Sequence, residues 1–137
     1  MEHERIRFKL LFHLYQRHYS EALGHPQNTE EVIVQAGVQF YERNLINGNI
    51  VYLKDMNYVD GPSTIGLAYP FALRITSYGI DFVNERIERL MDILRNDPQL
   101  QERFHTISGT SSFSGRMSEI GHLLSQNQEL IDRIMRP

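Results

Sequence analysis

Between Ile46 and Leu94 the apolar residues change period twice, and few folds accept that order. Ile46, Ile50 and Leu53 recur at helical spacing on one face. Asn57 then falls where the helix must stop, and asparagine ranks after glycine in tolerating the left-handed conformation that ends helices. Tyr58 and Val59 open a strand, and Gly61-Pro62-Ser63-Thr64 is turn chemistry. After Pro70, the residues Phe71, Leu73 and Ile75 alternate with Ala72 and Arg74, the period-two pattern of a half-buried strand. The two strands predict a hairpin with a long tip from Gly61 to Pro70. Thr76 is a good N-cap. Behind it Ile80, Val83, Ile87, Leu90 and Leu94 return to helical spacing over about two heptads, with Glu85 and Arg89 an i,i+4 pair in the favourable order.

The flanks are helical. Ile6, Leu10 and Leu14 form a stripe that Phe8, Phe12, Tyr15 and Tyr19 widen, and Gly24 with Pro26 supplies a stop. Asn28 or Thr29 can cap a second helix, with Glu31 three residues after Asn28. That helix runs through Val32, Ile33 and Ala36, and Gly37 is a turn or a tolerated weak point. Asn96-Asp97-Pro98 ends the heptad helix and starts a short one carrying Leu100 and Phe104. Ser108 to Gly115 reads as a linker. A last helix places Met117, Ile120, Leu124, Ile131 and Ile134 on one face.

Composition narrows the function classes. The chain has 137 residues, a formal net charge of −3 and no cysteine, so disulfides, thiolate metal sites and cysteine nucleophiles are excluded. None of the six histidines, His3, His13, His18, His25, His105 and His122, forms an i,i+4 pair. No metal site or cofactor is expected. The loop Gly109 to Gly115 lacks the Gly-Lys-Ser/Thr ending of a phosphate cradle, and no carboxylate pair stands out. No catalytic residue is assigned and an enzyme is not expected. The opening residues Glu2, Glu4, Arg5, Arg7 and Lys9 do not form a secretory signal, and Ile65 to Leu73 is too short to span a bilayer. A cytoplasmic protein without membrane contact is the expectation.

Two segments carry a family resemblance. Ile50 and Leu53, the stop at Asn57 and the strand start Tyr58-Val59 resemble the passage from recognition helix to first wing strand in winged helix-turn-helix proteins, with Asn57 in place of the usual glycine. Leu73 to Phe82 is similar to the Leu-Thr-x-x-Gly turn of bacterial and archaeal winged-helix regulators, with Ile75 for the leucine and Thr76 and Gly79 matching. The resemblance covers roughly residues 5 to 95. It implies a mainly α protein with a small antiparallel hairpin: a winged-helix domain over residues 1–95, followed by a helical extension over 96–137 that serves dimerisation.

It further implies a transcriptional regulator that binds double-stranded DNA as a homodimer, its third helix in the major groove. With Ile46, Ile50 and Leu53 inward, Asn44, Asn47, Gly48, Val51, Lys54 and Asp55 face outward. Asn can read adenine and Val a thymine methyl, Gly48 permits close approach, and Arg43 and Lys54 hold phosphates. The alternative at this point makes Asn47-Gly48-Asn49 a turn between two short helices. Dimerisation falls to Ile80, Val83, Ile87, Leu90 and Leu94. The face is poor in cations, and the hairpin tip carries Ile65, Leu67 and Tyr69 but no Lys or Arg. A winged-helix module that binds a protein partner through this tip, without DNA, is therefore the rival reading.

Overall fold

The structure is a computed structural model and describes residues 2–62, 69–102 and 112–137. The chain is mainly helical. Helix α1 (Glu2–Arg17) runs into one π-helical turn (His18–Ala22), then β1 (Gln27–Asn28), α2 (Thr29–Gln35), α3 (Arg43–Asp55), β2 (Val59–Asp60), β3 (Ala72–Ile75) and α4 (Ser77–Arg95). Helices α5 (Phe113–Gln126) and α6 (Gln128–Met135) follow. The chain forms two compact units, Met1–Val83 and Asn84–Pro137.

In the first unit α1 packs on α2, α3 and β3. The expected stripe of Ile6, Leu10 and Leu14 is buried, and so are Phe8, Phe12 and Tyr15 on other sides of the helix. A helix covered over most of its circumference is a central one. The buried apolar residues of α2, α3 and β3 are Val32, Ile33, Ile46, Ile50, Leu53, Leu73 and Ile75. Leu23 (φ 46°) and Gly24 (φ 90°) are both left-handed, so the turn after α1 begins one residue before the expected glycine.

Helices α2 and α3 stop in the same way. The Gly37 amide donates to the Val34 carbonyl at 3.1 Å, and the Val38 amide to the Ile33 carbonyl at 3.2 Å. At α3 the Asn57 amide reaches Lys54 at 2.9 Å and the Tyr58 amide reaches Leu53 at 3.0 Å. This pair of bonds satisfies the last carbonyls of a helix and requires a left-handed residue just after it. Gly37 (φ 77°) and Asn57 (φ 61°) fill that position. Asn57 does so as its place in the sequence predicts.

The sheet is antiparallel in the order β1-β3-β2. Val59 faces Ile75 and Asp60 faces Arg74 in the hairpin, while Gln27 faces Leu73 and Asn28 faces Ala72 on the other edge. Strand β1 is not predicted from sequence, because two residues before a helix cap hold no alternation to read. Asn28 also caps α2, its side-chain oxygen accepting from the Glu31 amide at 3.1 Å. Thr29 is buried, donating its amide to the Phe71 carbonyl at 2.9 Å and its hydroxyl to the Pro70 carbonyl at 2.7 Å. Leu73 and Ile75 point into the core as expected, but Phe71 is 51% exposed. The ladder starts at Ala72, so Phe71 stands before the pleat that would have turned it inward.

Gly79 has a steric reason. A Cβ there would lie 2.2 Å from the Tyr58 carbonyl oxygen, so only glycine lets the first turn of α4 approach the chain leaving α3.

In the second unit, the stripe of Met117, Ile120, Leu124, Ile131 and Ile134 is buried, but on two helices rather than one. Asn127 is the break. Its side chain donates to the Leu123 carbonyl at 3.0 Å, competing with the helix ladder, and its backbone leaves the helical region. Arg89 closes the far end of α6 by donating to the carbonyls of Ile134 (3.4 Å) and Arg136, and it pairs with Glu85 at 2.9 Å. Asp97 caps a helical segment over residues 98–102, accepting from the Gln99 and Leu100 amides. Phe104 and linker residues 108–111 lie outside the described residues. Ser112 accepts from the Gly115 amide at 3.1 Å, so α5 begins inside the stretch that composition reads as linker.

Candidate nucleic-acid interface

Helix α3 is continuous over 13 residues, which removes the reading of Asn47-Gly48-Asn49 as a turn between two helices. Ile46, Ile50 and Leu53 are buried beneath it. Asn44, Gly48 and Asp55 are exposed, and Asn47, Val51 and Lys54 are half-buried. The sequence-predicted face is thus assembled on one helix beside the hairpin. Gly48 has open space above it, with nothing within 4 Å of where a Cβ would sit.

Asn49 is read from sequence only as part of that turn, without a role on the helix. It is 2% exposed, and a buried amide must spend its hydrogen bonds inside the protein. Its Nδ2 donates to the Leu45 carbonyl at 2.8 Å and lies 3.1 Å from His3 Nδ1, and its Oδ1 accepts from Arg7 Nε at 2.8 Å. The Arg7 guanidinium stacks over the Tyr52 ring at 3.5 Å. Arg7 is a strut between α1 and α3.

Arg43 is also engaged. Its Nε donates to Asn47 Oδ1 at 2.9 Å, Nη1 to Glu30 Oε2 at 2.8 Å, and Nη2 to the other Glu30 oxygen and to the Tyr69 hydroxyl at 3.1 Å. The guanidinium carbon lies 5.4 Å from the Tyr69 ring centre. Hydrogen bonding to Arg43 holds the Glu30 carboxyl below its ordinary range, and the same bonds push the Arg43 pKa up. Ile65 and Leu67 of the hairpin tip lie outside the described residues.

Lys54 and Arg74 line one open groove of about 660 Å³ at the base of the hairpin, with Asn57, Asp60, Thr76 and His18. Asp60 pairs with Arg74 at 3.3 Å, and both side chains are about half exposed. Arg74 is a cation on this side of the molecule that the sequence reading treats only as the polar partner in a strand.

Of the α4 stripe, Val83, Leu90 and Leu94 are buried within the single chain, and Ile80 and Ile87 are half-buried. Among the described residues no three His, Asp or Glu side chains are placed to hold a metal ion, and no helix is long and apolar enough to cross a membrane. No protein-family model, curated protein or solved structure gives a significant match to the chain.

Proposed function

We propose that the protein is a winged-helix DNA-binding regulator that acts as a homodimer in the cytoplasm. One observation carries the reading. A single unbroken helix, α3, presents Asn44, Asn47, Gly48 and Val51 on one edge, directly before the β2–β3 hairpin, in a chain whose elements run α1-β1-α2-α3-β2-β3-α4. Helix-turn-helix proteins read the major groove with such a helix and touch the neighbouring backbone with such a hairpin. Asn44 supplies an amide for base edges, Asn47 its Nδ2 while its Oδ1 accepts from Arg43, Val51 an apolar contact and Gly48 the close approach. Lys54 and Arg74 sit together at the hairpin base and are the natural phosphate contacts. Few cations per protomer mean low affinity for one copy, so two copies are needed. A dimer through α4 has Ile80 and Ile87 to use, since the other three stripe residues are already covered.

A second reading is favoured by one observation. Phe40 is 89% exposed in the turn between α2 and α3. An aromatic side chain at such a turn is open to a partner's surface, and a protein-binding module without DNA would have it to use.

Selection from a pool of random duplexes separates the two. The DNA reading expects an enriched sequence. It also expects Asn44→Ala or Asn47→Ala to cost about 1–3 kcal/mol on that sequence and little on random DNA. Lys54→Ala should weaken both alike and lower the salt slope by about one unit. No enrichment, with binding indifferent to Asn47 and Lys54, gives the function to the Phe40 surface.

A further inference from the structure

Arg43 is a cation on the α3 face whose guanidinium is fully committed within the chain. Nη1 and Nη2 take the two oxygens of Glu30 in parallel, Nη2 also reaches the Tyr69 hydroxyl, and Nε holds Asn47. Two parallel N–H···O bonds to one carboxylate are the arrangement by which arginine grips a phosphodiester. The Glu30 carboxylate is thus held by the fork that would grip a phosphate. The pair stands at the surface, with the side chains of Arg43 and Glu30 41% and 60% exposed. Both partners are open to solvent, so an incoming polyanion can compete with the carboxylate for the guanidinium.

We propose that Glu30 is an internal stand-in for a backbone phosphate, which keeps Arg43 closed until DNA displaces it. This rests on the DNA-binding reading above. Tyr69 and Asn47 hold the guanidinium from its other edges, so it stays in place when the carboxylate leaves. The consequence is discrimination. Random DNA offers phosphates alone and must give up one bidentate pair to make another. A preferred site adds base contacts from Asn44 and Val51 and so opens Arg43 at a profit. Glu30 and Tyr69 are positioning residues in this scheme, and the ligand at Arg43 is a phosphodiester oxygen pair.

The test is Glu30→Gln in the full chain, with Glu31→Gln as the control for loss of a neighbouring surface charge. Binding to a random duplex is measured between low and physiological salt. Glu30→Gln should tighten random binding about tenfold at low salt and steepen the salt slope by about one unit, as one added phosphate contact requires. Glu31→Gln should do much less. In an Arg43→Lys background, which keeps the charge but loses the fork, the gain from Glu30→Gln should vanish. Equal gains from both glutamates, or a gain that persists without Arg43, overturn the proposal and leave the DNA reading standing. If neither wild type nor variant binds DNA, the DNA reading fails, and inorganic phosphate then decides the stand-in separately. The Arg43 Nε–H resonance should shift saturably with phosphate in Glu30→Gln and stay unmoved in wild type. The same response in both overturns it.

Discussion

The hydroxyl of Thr76 donates to the carbonyl of Asn57 and accepts from the amide of Gly79 at 3.1 Å. One side chain thereby caps the start of α4 and ties it to the residue that ends α3. The Thr76 amide adds a bond to the Tyr58 carbonyl at 3.1 Å. The two segments that carry the family resemblance in the sequence, one around Asn57 and one around Thr76, are thus in direct contact.

Thr76→Val keeps the shape and removes both hydroxyl bonds. It should destabilise the protein by about 1–2 kcal/mol in urea unfolding, the range for losing a helix cap. Thr76→Ser should retain most of that.

Glycine-to-alanine changes should have opposite signs at two helical positions. At Gly48, where space is open, alanine should stabilise by up to about 1 kcal/mol through helix propensity. At Gly79 the new Cβ meets the Tyr58 carbonyl, so the same change should cost about 1–3 kcal/mol. Chemical denaturation of the two variants side by side checks this. If α3 enters a DNA groove, Gly48→Ala should also weaken DNA binding while the fold gains stability.

Asn57→Val should cost at least about 1 kcal/mol, because a β-branched residue is strained at the φ of 61° found there. Asn57→Gly should be neutral or stabilising. The unfolding midpoints of the two variants should move in opposite directions, or only the valine one should fall.

The stop at Asn57 and the cap at Thr76 were legible in the sequence because their signals are local. A helix stop, a cap and a strand alternation each sit within a few residues. What was not legible depends on partners far along the chain. Strand β1 exists because Gln27 and Asn28 meet β3, and no pattern in two residues announces that. Arg43 reads as an outward cation until Glu30, 13 residues away, and Tyr69, 26 away, fold onto it. Asn49 reads only as part of a turn alternative until Arg7 arrives from α1. The break at Asn127 was hidden because the stripe on either side keeps helical spacing through it.

Acidification should reveal His13. Burial is the main cause that depresses its pKa from the ordinary 6.5, the nearby Arg17 charge lowers it further, and a hydrogen bond with Gln35 offsets only part. The unfolded chain therefore takes up the proton first as pH falls. The stability contributed by neutral His13 is complete above pH 6.5 and is lost as pH drops toward the lower folded value. Thermal melts between pH 7.5 and 5 should show a decline that His13→Gln flattens.

The buried amide of Asn49 also dictates where a proton sits at the start of the chain. A carbonyl only accepts and Arg7 Nε only donates, so the Leu45 and Arg7 contacts fix which end of the amide is nitrogen. That nitrogen brings a hydrogen to His3, which must meet it with a bare Nδ1 and carry its own hydrogen on Nε2. The imidazole of an exposed residue in the first turn of α1 is thus held in one tautomer by the interior of α3.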